Sequence, residues 1–166
     1  MDELPTRRIA LSTGDTLNVC VAGPEGADLA ILLLGFPESP RTWRHQIADL
    51  GRDHFVVAPD QRGFAGSDKP EGVENYETDR IVADVMALAD ALGLKHFTLG
   101  GHDWGGAIAW TAALEHPFRV KRLIIVNAPH PLVFQKSLIE DEAQRAASQY
   151  IRALRSPLAE TGIRLM

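Results

Sequence analysis

The segment Gly100-Gly101-His102-Asp103-Trp104-Gly105-Gly106 lies between an apolar run and a stretch of helical spacing, and its residue types point to chemistry. A sharp strand-to-helix turn centred on Asp103 would force that residue into a strained backbone conformation and needs small neighbours two positions to either side. Gly101 and Gly105 meet that need. Such an elbow projects one carboxylate from the top of a sheet, with a helix N-terminus beneath it to favour negative charge. Asp103 is therefore a candidate nucleophile. The plainer reading is a glycine-rich turn that Asp103 caps. A dinucleotide fingerprint fits poorly, because the stretch contains no Gly-x-Gly-x-x-Gly spacing.

A second candidate is Leu34-Gly35-Phe36-Pro37, at the end of another apolar run. In enzymes with an elbow nucleophile, one N–H of the oxyanion hole comes from the residue after the nucleophile and the other from a loop of this kind. Trp104 and Phe36 would supply them. Pro37 has no N–H and is placed to follow a cis bond. Without the elbow, the same residues read as a turn with a core phenylalanine.

Residues so far apart in the chain need a framework to bring them together. β-branched and aliphatic runs alternate with longer amphipathic stretches, the pattern of a mostly parallel sheet joined by crossover helices. Strands are predicted over 8–11, 16–22, 29–34, 54–58, 96–100 and 122–127, the last four apolar along most of their length as strands covered on both faces must be. Helical spacing covers 43–50, 78–92 and 104–116. In the second of these Ile81, Val82, Val85, Leu88, Ala89 and Leu92 form one stripe, and Gly93 stops it. Beyond Pro131 no further strand is predicted. Ser137 and Glu140 have capping-box spacing, and Ile139, Ala143, Ala146, Tyr150, Ile151 and Leu154 predict one long helix up to Pro157.

The 166 residues carry 17 Lys and Arg against 22 Asp and Glu, a net charge of −5. Scattered basic residues on an acidic chain offer no stripe for nucleic acid or an anionic membrane. The longest apolar run, 29–34, is far below the roughly 18 residues of a membrane helix, and the first residues lack the basic start of a secretory signal. The single cysteine, Cys20, reads as a buried small side chain in a reducing compartment, so a cytoplasmic location is expected. None of the six histidines has metal-ligand spacing with another His or Cys, and neither a metal nor a cofactor is expected.

Six motifs taken together resemble the α/β-hydrolase superfamily, and within it the soluble epoxide hydrolase and haloalkane dehalogenase-like branch. They are Gly35-Phe36-Pro37-Glu38-Ser39, Trp43-Arg44-His45-Gln46, Ala58-Pro59-Asp60-Gln61-Arg62-Gly63, Gly66-Ser67-Asp68-Lys69-Pro70, Gly101 to Gly106, and Asn127-Ala128-Pro129-His130-Pro131. The resemblance runs from about residue 8 to 160. It implies an α/β fold, an α/β-hydrolase core with helices on both faces of its sheet over 1–132, ending before the last strands. The start of a helical cap, or lid, would follow over 133–166.

What the resemblance implies chemically is attack of Asp103 on an sp³ carbon to give an alkyl ester, with the Phe36 and Trp104 amides supporting its hydrolysis. Tyr150, on the helix after the sixth strand, would donate to an epoxide oxygen, since a phenol of pKa near about 10 suits a developing alkoxide. The implied partners are water and a small apolar epoxide or halogenated substrate. A haloalkane or haloacid dehalogenase using the same Asp103 is the chemical alternative, since the Trp104 indole could also cradle halide. Tyr150 then reads as a packing residue. Asn127 stands where one dehalogenase subgroup carries its acid, which counts against that subgroup. Two departures matter. Leu34 replaces the family's histidine before Gly35, and the general-base histidine with its acid would lie beyond Met166. His130 is the remaining candidate for a substitute base. This chain alone is thus expected to lack turnover, with a second chain or C-terminal half completing the sheet, or else to be a non-catalytic binding module. Asp60 and Arg62 are expected to pair with each other near a strand end.

Overall fold

A strand buried on both sides needs a layer of helix above and another below, and β3 (Leu29–Leu33) has the side chains for both. In the computed structural model, which describes residues 5–156 and 159, Leu29, Ile31 and Leu33 enter one core with Val57, Leu99 and the apolar stripes of α2 (Thr78–Ala91) and α3 (Trp104–Glu115). Ala30 and Leu32 enter a second core with Trp43, Val56, Ala58 and Ile47 of α1 (Arg44–Leu50). The period-2 alternation of one apolar run thereby serves two helix layers.

The other strands are β1 (Thr6–Ala10), β2 (Thr16–Ala22), β4 (Phe55–Pro59), β5 (Phe97–His102) and β6 (Val120–Val126), and the spatial order is β1-β2-β4-β3-β5-β6. Strands β4, β3, β5 and β6 run parallel, and the β1–β2 hairpin joins β4 antiparallel. The fold is thus the α/β arrangement with a mostly parallel sheet that the sequence predicts. From β3 the chain passes through α1 to β4 on one side, then through α2 to β5 on the other side of β3. Right-handed crossovers taken in opposite directions put their helices on opposite faces. They also leave a switch point at the C-terminal ends of β3 and β5, the place where open α/β sheets bind ligands.

Several expectations are corrected. The strand predicted over 122–127 is not covered on both faces among the described residues: β6 is the last strand of the described sheet, with Ile124 and Val126 exposed. The long helix predicted from Ser137 is three: α4 (Pro131–Glu140), α5 (Glu142–Ala147) and α6 (Gln149–Leu154). Its break at Asp141 has a local cause. The Asp141 carboxylate accepts from the Ala143 and Gln144 N–H groups at 2.9 and 3.2 Å and caps α5, an option that competes with continuing the helix. Ser137 and Glu140 therefore lie inside α4. The predicted stop at Pro157 falls outside the described residues.

Asp60 and Arg62 do not pair with each other, because the chain leaves the strand at Pro59 and strand alternation no longer keeps them on one face. Asp60 accepts from Asn18 Nδ2 at 2.9 Å and the Gly66 N–H at 3.0 Å. Arg62 forms a two-pronged pair with Asp84 of α2, Nε and Nη2 each at 2.8 Å, and a further pair with Asp15 at 2.8 Å. Those Asp84 hydrogen bonds raise the Arg62 guanidinium above its ordinary pKa.

The chain divides into two units, Met1–Ala128 and Pro129–Met166. The first contains the sheet with α1, α2 and α3, and the second contains α4, α5 and α6. This division falls earlier than the expected one at 132. Among the described residues no helix is long and apolar enough to cross a membrane.

Candidate active site

Asp103 sits between the end of β5 and the start of α3 with φ 51° and ψ −119°. A non-glycine residue there is strained by roughly 1–3 kcal/mol, which the surroundings must hold in place. They do so through close approach. A Cβ on Gly101 would lie 2.3 Å from the Gly105 carbonyl oxygen, and one on Gly105 would lie 2.6 Å from the Leu33 carbonyl carbon. The Asp103 N–H donates to the Val126 carbonyl at 3.0 Å, fastening the turn to β6. Changing Gly101 to Ala is therefore expected to lower stability by about 1–3 kcal/mol, the usual cost of overpacking. Urea unfolding with an unchanged midpoint would contradict this account of the elbow.

The carboxylate of Asp103 lies at the N-terminus of the 12-residue α3, whose dipole favours negative charge. The Phe36 N–H donates to Asp103 Oδ1 at 3.2 Å. Two candidates from widely separated motifs thus meet in direct contact. Trp104 is the first residue of α3, and helix geometry leaves its N–H without an intrahelical acceptor. The Phe36–Pro37 peptide is cis. The Phe36 ring is 48% exposed and meets Phe64 edge-on, centroids 6.4 Å apart, while Trp104 is 45% exposed. An acidic group among exposed aromatic faces suits an apolar, electrophilic substrate.

Beside Asp103 is a polar chain that sequence reasoning missed. Glu38 Oε2 accepts from the Gly35 N–H at 2.9 Å and faces His102 Nδ1 at 3.0 Å, and His102 Nε2 faces Asn127 Nδ2 at 3.2 Å. A carboxylate only accepts, so for a neutral imidazole this network assigns the proton to Nδ1 and leaves Nε2 to accept from the Asn127 amide. The loop after β3 is tied through Glu38 and His102 to the end of β6. Strand alternation places His102 away from Asp103, and no spacing in the chain signals its partner Glu38, 64 residues away.

The other two candidates belong to the second unit. Tyr150 lies on α6 with 59% of its surface exposed. His130 is the N-cap of α4, its Nδ1 accepting from the Leu132 N–H at 3.3 Å. That bond gives His130 a structural role and engages one of the two nitrogens that could serve as a base. Among the described residues no group of three His, Cys, Asp or Glu is arranged to hold a metal ion.

An acidic elbow over a helix N-terminus, at the switch point of a mostly parallel sheet, is the architecture of an α/β-hydrolase. The family model described as "alpha/beta hydrolase fold" matches residues 30–158, and the chain belongs to that family. It is 40% identical over 138 residues to epoxide hydrolase 4 of Mus musculus, covering 83% of this chain and 38% of that protein. To epoxide hydrolase A of Mycobacterium tuberculosis it is 43% identical over 128 residues, covering 75% of this chain and 39% of the relative. A solved structure of novel epoxide hydrolases from metagenomes of hot environments superposes with a TM-score of 0.93 at 50% identity, over 96% of this chain and 54% of the other. The epoxide hydrolase of Bacillus megaterium, solved with an inhibitor, gives 0.89 at 36% identity, over 93% and 53%. The chain spans about two-fifths to one-half of the relatives it matches.

Proposed function

We propose that the whole protein hydrolyses epoxides to vicinal diols through an ester on Asp103. The observation that carries this reading is the Phe36 N–H on Asp103 Oδ1 at the elbow. With Oδ1 engaged, Oδ2 is the attacking atom. It forms a C–O bond to an epoxide carbon as the ring C–O bond breaks, and the ring oxygen takes the proton of the Tyr150 phenol. Water then adds to the ester carbonyl. Its proton passes to a general base of the kind the family carries after its later strands, and from there restores the phenol. Negative charge develops on Oδ1, where the Phe36 and Trp104 amides stabilise it; on collapse the bond from the carboxyl carbon to Oδ2 breaks, Oδ2 leaves in the diol with the remaining proton of the added water, and the carboxylate is regenerated with the water oxygen in place of Oδ2. The names of the relatives support epoxides over other electrophiles. The exposed aromatic rings of Phe36 and Trp104 suit an apolar substrate, and the buried Cys20 suits a reducing, cytoplasmic setting.

Tyr150 provides the test. Tyr150→Phe in the whole protein should lower kcat for epoxides by roughly 10-fold, about 1.4 kcal/mol, because an alkoxide needs a donor. Release of halide from haloalkanes should barely change. Wild-type protein that frees halide and leaves epoxides intact would transfer the function to dehalogenation.

A further inference from the structure

The Leu33–Leu34 peptide, where the chain leaves β3 for the oxyanion loop, is gripped by two side chains from different parts of the fold. The buried Trp43 indole donates from Nε1 to the Leu33 carbonyl at 3.0 Å. Gln61, 2% exposed, accepts the Leu34 N–H on Oε1 at 3.0 Å. The Gln61 bond takes the place of main-chain pairing that β4 no longer provides here, because the β3–β4 register ends at Ile31 opposite Val57, while on the other side β3 stays paired with β5 through Leu33 opposite Gly101. Past Ile31 strands β3 and β4 part and Gln61, two residues beyond β4, bridges the gap. The α3 side is closed too, since Gly105 packs against this same peptide with no room for a Cβ. The Leu34 side chain is fully buried and has no hydrogen-bonding group, so the grip acts on the backbone alone.

The Gln61 amide is an expensive way to satisfy one N–H. Its Nε2 is buried without a partner, and an apolar side chain would avoid that penalty. Two residues downstream of the gripped peptide, the Phe36 N–H reaches Asp103 Oδ1. We propose that Gln61 and Trp43 are positioning residues that clamp the Leu33–Leu34 peptide and thereby aim the Phe36 N–H at Asp103. The catalytic meaning of the clamp rests on the function proposed above, whereas its mechanical effect does not.

The test uses the whole protein and three variants: Gln61→Met, which keeps the volume and removes the acceptor; Gln61→Glu, whose carboxyl oxygen still accepts; and Trp43→Phe, which keeps a buried ring and removes the donor. Amide hydrogen exchange is compared at Phe36 and at Ile31, in the middle of β3. Gln61→Met and Trp43→Phe should each raise exchange at Phe36 roughly 10-fold relative to Ile31, and lower kcat for an epoxide roughly 10-fold with little change in KM, since the lost contact matters in the transition state. Gln61→Glu should stay near wild type on both readouts. Exchange that rises equally at Phe36 and Ile31 in the folded variants, unchanged kcat, or a Gln61→Glu variant no better than Gln61→Met would overturn the proposal. Should Gln61→Met not fold, Trp43→Phe carries the same comparison. Wild-type protein that forms no ester on Asp103 would remove the proposed function, and the exchange comparison would still decide the clamp.

Discussion

Asp103→Asn in the whole protein is expected to lose at least about 10⁴-fold in kcat toward epoxides, the scale seen when a covalent nucleophile is removed. The substitution is nearly isosteric, and its amide oxygen can still accept the Phe36 N–H that now reaches Oδ1 at 3.2 Å. The elbow should therefore remain folded, and the loss isolates nucleophilicity. Asp103→Ala should behave alike in rate. Wild-type protein quenched early in turnover should show the substrate mass added to the peptide containing Asp103. Label on another residue, or turnover that survives both substitutions, would end the reading of Asp103 as nucleophile.

What could be read from the sequence was whatever a short window determines. The elbow is legible because its two glycines lie within two residues of Asp103 and a Cβ on Gly101 would strike Gly105 in the same turn, whereas the crowding at Gly105 comes from Leu33 and Leu34 of a distant segment. The apolar runs of β3 and β4 identify buried strands because every position is covered. Harder to read is what depends on which loops the switch point brings together. Glu38, His102 and Asn127 come from the ends of three strands, and no spacing in the chain links them. Gln61 meets Leu34 only because β3 and β4 diverge just there. The partner of Arg62 was misjudged for a related reason. Proximity in sequence favoured Asp60, while the fold offered Asp84 from the buried face of α2. The helix after Pro131 was misread differently. Its apolar periodicity continues through Asp141, but one carboxylate capping two N–H groups breaks the backbone without disturbing the pattern.

Arg62→Met is expected to cost about 3–5 kcal/mol of unfolding free energy, the usual penalty for leaving a buried charge without its partner. The Arg62 and Asp84 side chains are only 5% and 3% exposed. Deleting the guanidinium strips Asp84 of both 2.8 Å bonds, leaving it the Thr13 hydroxyl at 2.6 Å. It also frees Asp15, in the β1–β2 turn, from its own 2.8 Å pair, and releases the Asn75 carbonyl that Nη1 reaches at 3.3 Å. Arg62 thus ties α2, the hairpin turn and the segment before α2 to the stretch that carries Gln61 and Phe64. The double variant Arg62→Met with Asp84→Leu removes the stranded charge as well and should recover much of the loss, because an apolar replacement of a whole buried pair is often neutral. Urea unfolding of wild type, both single variants and the double variant completes the cycle. If the double variant is as unstable as the sum of the singles, the pair contributes by shape rather than by charge, and the network around Arg62 is ordinary packing.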